Sequence, residues 1–198
     1  MWNRATPLTP EEIEAAYRQG AFPMGDPDTG GVTWHRPWRR AVVPLESFHI
    51  PRSLARRMRR GGFTVTFDRD FAGVMAGCAD RESTWITEEI HRAYGELHRL
   101  GKAHSVEVWI EEQLAGGLYG VHLGGAFFAE SKFHRATDMS KIALVALVTR
   151  LRECGFRLLE VQYLTPHLEQ FGAIEIPHRE YTRLLAEAVA CGVGFGDA

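Results

Sequence analysis

Three closely spaced extended segments, followed by a long apolar helix and a further strand, constrain the fold most. The segments are "AHSVEVWI", "LAGGLYGVHL" and "AFFAES", separated by turns at "EEQ" and at Gly124–Gly125. Loops this short join antiparallel strands. The helix predicted from Met139 to Glu153 is apolar nearly all round, so it must be buried. The strand "RLLEVQYL" that follows this helix is therefore expected near the centre of a sheet.

The second half of the chain reads β–β–β–α–β–α–β–α, which resembles the GNAT acyltransferase fold. The predicted fold class is α+β, with a mixed, mainly antiparallel sheet flanked by helices. A small N-terminal domain (residues 1–62) would precede the GNAT-like catalytic domain (residues 63–198). The N-terminal part begins with a helix capped by Thr9, in a capping box closed by Glu12. The segment "GAFPMGDPDTGGVTWHRPW" looks too rich in Gly and Pro for regular structure.

Composition excludes several classes of protein. With a net charge of −2 the protein as a whole is not positively charged, so binding of nucleic acid would need a local basic patch. The three cysteines form no CxxC pair, which favours a reducing compartment. The nine histidines show no metal-ligand spacing, so no metal site is predicted. The N-terminus is too polar for a signal peptide and no apolar run reaches membrane-spanning length, so we expect a soluble cytoplasmic protein.

Three acceptor-rich side chains could converge beside the predicted sheet. Glu130 ends the third meander strand, and the period of two in "RLLEVQYL" puts Glu160 and Gln162 on one face of that strand. These side chains could be the polar outer face of an ordinary half-exposed strand. A carboxylate and an amide carbonyl at one place would also suit a substrate amine, because both accept its hydrogen bonds.

"PRSLARRMRRGG" predicts a basic helix. Its exposed arc would carry Arg52, Arg56, Arg59 and Arg60, with no carboxylate in the run to neutralise them. This arc could be an ordinary solvated face or a surface that contacts phosphates.

A coenzyme A-dependent enzyme of this fold would need a glycine-rich pyrophosphate loop, and the chain has "ESKFHRATDMSK" there instead. The motifs "GAFPM", "STWIT", "AYGELHRLGKAHSVEVW", "AGGLYGV", "AESKF", "SKIAL" and "FGAIEIPHREYTRLL" resemble those of leucyl/phenylalanyl-tRNA–protein transferases, in the same order. A coenzyme A-dependent N-acyltransferase and a non-catalytic tRNA-binding protein are the alternatives.

The resemblance implies transfer of Leu, Phe or Met from aminoacyl-tRNA to the N-terminal amine of proteins beginning with Arg or Lys, which marks them for degradation. It implies no cofactor, and nothing demands more than a monomer. Glu130 would hold the aminoacyl group, Gln162 would bond the attacking amine, and Glu160 would stand behind Gln162. Positions around the adenosine and the amino-acid side chain match Trp34, His35, Trp85, Tyr94, Leu118 and Phe127; Trp85 and Tyr94 would otherwise be interpreted as core. The tRNA phosphate contacts are assigned to Arg52, Arg56, Arg59, Arg60 and Lys141.

The chain departs from that family's usual pattern at several of these positions. Glu160 replaces an Asp, His35 stands where a second Trp or Tyr is frequent, and Ala129 replaces the Gly of a Gly-Glu-Ser motif. Leu118 and Lys132 stand where Met is common. These departures leave the preference among Leu, Phe and Met open.

Overall fold

A computed structural model describes residues 7–196. Its helices are α1 Pro10–Arg18, α2 Arg52–Arg60, α3 Phe71–Ala79, α4 Glu88–Arg99, α5 Met139–Glu153, α6 Pro166–Glu169 and α7 His178–Val189. Its strands are β1 Phe22–Gly25, β2 Val32–His35, β3 Arg39–Val43, β4 Thr64–Phe67, β5 Ala103–Ile110, β6 Gln113–Leu123, β7 Ala126–His134, β8 Leu158–Glu160 and β9 Ile174–Pro177.

Seven of the strands form one mixed sheet in the order β4-β5-β6-β7-β8-β3-β9. Strands β4 to β7 are an antiparallel run, and β8 pairs with β7 in parallel after the crossover through α5. Strand β3 returns antiparallel to both β8 and β9. The predicted α+β class, with a mainly antiparallel sheet flanked by helices, is confirmed.

Helices cover both faces of this sheet and enclose two apolar clusters. One cluster contains side chains of α1, α3, α4 and α7, and the other is built around α5 with contributions from α2 and α6. The nine buried residues of α5 explain its sequence, because a helix covered by a sheet on one side and other elements on the other needs apolar residues on most of its surface. No helix within residues 7–196 is both long enough and apolar enough to cross a bilayer.

The N-terminal region confirms one prediction and corrects another. Thr9 caps α1 and Glu12 completes the capping box. The Gly/Pro-rich segment after α1 was expected to lack regular structure, and this expectation is wrong. Strands β1 and β2 form an antiparallel hairpin, with Gly25 paired to Val32. The intervening turn is closed by Asp26, whose main-chain oxygen accepts a hydrogen bond from the Gly30 N–H at 2.8 Å.

The strand predicted over "RLLEVQYL" is shorter than the pattern suggests. Strand β8 ends at Glu160, and Gln162 has a left-handed backbone with φ 62°. The prediction that Glu160 and Gln162 share one face of a strand is therefore wrong. The Glu160 carboxylate accepts a hydrogen bond from the Gln162 main-chain N–H at 2.5 Å, which turns the chain out of the sheet.

The domain boundary near residue 62 stays a prediction. Strand β3, which precedes that position, lies inside the seven-stranded sheet between β8 and β9. The chain on both sides of residue 62 therefore contributes to one sheet.

Candidate active site

A β-bulge in β7 presents Glu130. Tyr119 of β6 pairs with Ser131 and Gly120 pairs with Ala129, so Glu130 is an extra residue without a partner across the ladder. Bulges change the direction of a side chain relative to regular pairing. Glycine is needed opposite this bulge, because a Cβ on Gly120 would lie 2.3 Å from a main-chain oxygen of β7. The bulge buries the Glu130 side chain, which is 7% exposed.

The Glu130 carboxyl group accepts two side-chain hydrogen bonds. The Tyr17 hydroxyl donates to Oε1, and Nε2 of Gln162 donates to Oε2 at 2.9 Å. The hydroxyls of Tyr17 and Tyr94 are 2.7 Å apart. Because the Tyr17 hydroxyl already donates its hydrogen bond to Glu130, Tyr94 is the donor of this second bond. Burial raises the pKa of Glu130 to about 8, and repulsion from Glu160 adds to the effect. A cationic group beside Glu130 would lower this pKa again.

Gln162 is held so that its amide oxygen is available. Its main chain is anchored on both sides, by the bond from its N–H to Glu160 and by its own carbonyl, which accepts from the Ala41 N–H at 3.1 Å. Since Nε2 donates to Glu130, the Oε1 atom is left as an acceptor on a half-buried side chain.

Behind Gln162, Glu160 forms a fully buried ion pair with Arg40. The Nη2 atom of Arg40 lies 2.9 Å from Oε1 of Glu160, and its Nη1 donates to the main-chain oxygen of Gly20 at 2.5 Å. The guanidinium also lies over the rings of Phe22 and Tyr181. Burial raises the pKa of the Glu160 carboxyl, and the Arg40 charge opposes that shift. Arg40 therefore stabilises the carboxylate that positions the Gln162 main chain.

A cavity of about 560 Å³ opens beside Glu130. This volume is ordinary for a small-molecule site. It lies between β6, β7, the start of α5 and the segment that follows β8. Its apolar lining residues are Leu118, Ala129, Leu144, Val161 and Leu168, and its polar ones are Glu130, Ser131, Lys132, His134, Ser140, Tyr163, Thr165 and His167.

Some residues assigned to the aminoacyl-adenosine lie at this site. Leu118 lines the cavity, and Tyr94 belongs to the hydrogen-bond chain that ends at Glu130. Phe127 is fully buried and stacks on Phe195, with ring centroids 5.5 Å apart, and it is not one of the lining residues of the cavity. Its position places it in the core, and its role in binding stays a prediction.

The other assigned aromatic residues lie around the N-terminal hairpin. Trp34 is 40% exposed, whereas His35 stacks on Phe22 at 5.9 Å between ring centroids. Phe22 in turn makes an edge contact with Tyr163, which lines the cavity. The main-chain oxygen of the half-buried Trp85 accepts a hydrogen bond from β1. These contacts bring the hairpin next to the cavity, and nucleoside binding by these residues stays a prediction.

The basic residues assigned to tRNA lie in two places. Helix α2 buries Leu54, and its exposed residues include Arg52, Arg56, Arg59 and Arg60. Within residues 7–196, no carboxylate lies within ion-pair distance of these four guanidinium groups. Lys141 differs, because its ammonium is paired with Asp138 at 2.8 Å at the start of α5.

Sequence reasoning missed two residues of the site, Tyr17 and Arg40. Tyr17 lies 113 positions from Glu130, so only the fold brings its hydroxyl to the carboxylate. Arg40 did carry a signal, because it directly precedes the apolar run "AVV" and a charged residue in a buried strand needs a partner. The sequence does not indicate that Glu160 is that partner.

The meander with its parallel crossover has the architecture of acyltransferase-like folds, and the buried Glu130 carboxyl, bonded to the half-buried Gln162 amide, lines its cavity. Comparison with known proteins identifies the family. Residues 42–186 match the family model for leucyl/phenylalanyl-tRNA protein transferase, and residues 6–37 match the model for its N-terminal domain. The chain belongs to the leucyl/phenylalanyl-tRNA–protein transferase family.

Curated relatives with that name are similar over most of their length. The relative from Ruegeria pomeroyi is 58% identical over 186 residues, covering 92% of this chain and 87% of the relative. The relative from Salinibacter ruber is 56% identical over 182 residues, covering 92% and 80%. The solved structure of L-PGS from Bacillus licheniformis has a TM-score of 0.50 at 12% identity, covering 92% of this chain and 71% of that one. This last likeness concerns the fold alone.

Proposed function

We propose that this protein transfers Leu, Phe or Met from aminoacyl-tRNA to the N-terminal amine of proteins that begin with Arg or Lys. Family membership supports the general reaction, an aminoacyl transfer from tRNA to protein. The observation that carries the proposal is the hydrogen bond between the buried Glu130, which lines the cavity, and the half-buried Gln162, which lies in the chain between two lining residues.

The reaction is an aminolysis. The amine nitrogen attacks the carbonyl carbon of the aminoacyl ester, an amide bond forms, and the ribose hydroxyl leaves with the proton that the amine gives up. Gln162 aligns the attacking amine, because its Oε1 is free to accept one N–H while Nε2 is held by Glu130. Glu160 and Arg40 act indirectly: Glu160 bonds the main chain of Gln162, and Arg40 holds Glu160 in place.

Glu130 becomes negatively charged when a cationic amine approaches, because the neighbouring positive charge lowers the pKa of this carboxyl and favours its ionisation. An N-terminal amine has an ordinary pKa of about 7.7–8.0, so roughly a tenth of it is neutral at pH 7. Without the amine, burial raises the pKa of Glu130 to about 8, so the carboxyl is mostly protonated at pH 7 and loses this proton when an ammonium group binds beside it. The low exposure of Glu130 strengthens its attraction for the amine relative to water.

The remaining assignments follow from the same proposal. The aminoacyl side chain occupies the apolar part of the cavity, and the α2 arginines Arg52, Arg56, Arg59 and Arg60 contact tRNA phosphates. Lys141 does so only by exchanging Asp138 for phosphate. The protein acts as a cytoplasmic monomer without a cofactor, and its products are marked for degradation.

A transfer assay tests the proposal. The purified protein is incubated with radiolabelled Leu-tRNA and one of three peptides: one that begins with Arg, the same peptide with an acetylated N-terminus, and one that begins with Asp. We expect label only in the free Arg peptide. Equal label in the Arg and Asp peptides would contradict the acceptor assignment, and no label in any peptide would contradict the reaction.

A further inference from the structure

Lys132 brings a cationic side chain into the proposed aminoacyl cavity. It pairs with Leu118 across β6 and β7, and both residues line the cavity. Directly paired residues of antiparallel strands have Cβ atoms about 4.5–5.5 Å apart and point to the same face. A side chain bound against Leu118 therefore also contacts Lys132.

Lys132 is half-buried. Within residues 7–196, no carboxylate lies within ion-pair distance of it. His134 on the same strand and His167 on α6 line the same cavity, and Lys141 on α5 is close enough to repel His167, as Lys132 does. The carboxyl groups nearby are already engaged, because Asp138 pairs with Lys141 and Glu130 accepts hydrogen bonds from Tyr17 and Gln162.

The imidazole of His167 does not add a charge to this wall. Burial, followed by repulsion from Lys132, Lys141 and His134, lowers the pKa of His167 to about 4, so this group is neutral at physiological pH. Lys132 then presents a bound aminoacyl side chain with a charge that is unpaired within residues 7–196.

We propose that Lys132 determines which aminoacyl group the cavity prefers, by favouring a phenylalanyl over a leucyl side chain. This inference rests on the proposed function. An apolar side chain in the cavity removes water from the ammonium, which costs free energy. A phenyl ring compensates through a cation–π contact, and an isobutyl group cannot.

The preference should depend on pH. Burial lowers the pKa of Lys132 to about 8, so its charge is present at pH 6.5 and mostly absent at pH 9. Loss of the charge removes both the cation–π contact and the penalty on the leucyl group. The ratio of Phe transfer to Leu transfer should therefore fall as the pH rises.

Internal competition isolates this effect. Phe-tRNA and Leu-tRNA with different labels compete for one enzyme and one Arg-initiated peptide, and the ratio of the two kcat/KM values is measured from pH 6.5 to pH 9. Ionisation of the peptide amine and of Glu130 affects both substrates and cancels in the ratio. We expect the wild-type ratio to fall about threefold to tenfold, the size that a partly desolvated cation–π contact supports.

Two variants bracket the wild type. Lys132→Met keeps the length of the side chain without charge, so its ratio should be low and independent of pH. Lys132→Arg keeps the charge at every pH tested, so its ratio should stay high. A flat wild-type profile, or a Lys132→Met profile with the wild-type slope, would overturn the inference while transfer itself continued. Absence of transfer from both tRNAs would overturn the proposed function and this inference together.

Discussion

Replacing Glu130 by glutamine should stabilise the protein at alkaline pH. The substitution keeps the shape of a buried side chain and removes its ability to ionise. Burial raises the pKa of Glu130 from its ordinary value of 4.5 to about 8. Below pH 4.5 the carboxyl is neutral in the folded and unfolded states. Between pH 4.5 and 8 the unfolded chain releases a proton that the folded protein retains, so the free energy of unfolding falls as the pH rises.

The magnitude follows from these two pKa values. Between pH 5.5 and pH 8.0, the linkage gives a loss of about 3 kcal/mol in the wild type that the glutamine variant does not suffer. Other titrating groups are common to both proteins and cancel in the difference. Tyr17 and Gln162 can still donate to the amide oxygen or accept from its NH₂ group after side-chain rotation.

The assay is urea unfolding of both proteins at pH 5.5 and pH 8.0. We expect the variant to gain roughly 2–4 kcal/mol relative to wild type between the two pH values. Glu180→Gln, at an exposed glutamate of α7, is the matched control and should leave the difference unchanged. If Glu130→Gln changes stability equally at both pH values, the raised pKa is refuted. A carboxyl that lowers stability at working pH is kept for function rather than for folding.

Three further predictions concern two residues that support the site and one arginine of helix α2. Arg40→Met should lower the free energy of unfolding by about 3–5 kcal/mol in urea, because Glu160 is left buried and unpaired. Adding Glu160→Gln should restore part of this loss. If the effects of the two substitutions simply add, the pairing is contradicted. Gly120→Ala should cost about 2 kcal/mol or more in the same assay, because the new methyl would lie 2.3 Å from the Phe128 oxygen; wild-type stability would contradict the tight bulge. Arg56→Ala should weaken tRNA binding and reduce by about 1 the slope of log binding constant against log salt concentration. Unchanged binding would mean that the arginine face of α2 contacts only solvent.

The regular elements of the catalytic region were predictable because their signals are local. The meander follows from alternating residues and short turns, and α5 begins and ends where its apolar pattern and Gly155 indicate. Strand β8 was overestimated because alternation continues through Gln162, whereas a side-chain bond from Glu160 turns the chain. The hairpin of β1 and β2 was missed because its four-residue strands lie in a segment whose Gly and Pro residues are typical of loops.

The site was predictable only in part. Glu130 stood out as a carboxylate after an apolar run; the strand was expected to end there, whereas β7 continues to His134. The convergence of Glu130 with Gln162 is confirmed by the 2.9 Å contact. The bulge that directs Glu130 toward Tyr17 depends on a one-residue shift of register, which alternation of residues does not reveal. The pair of Arg40 and Glu160 joins residues 120 positions apart, so it required the fold.

A single-turnover measurement tests the central claim most directly, namely that Glu130 and Gln162 act on the amine. Enzyme in excess over radiolabelled Leu-tRNA is mixed with saturating Arg-initiated peptide, and tRNA affinity is measured separately. Gln162→Ala and Glu130→Ala should each lower the rate of transfer by about 100-fold or more while tRNA binding stays within about twofold of wild type. Rates within about threefold of wild type for both variants would contradict the account.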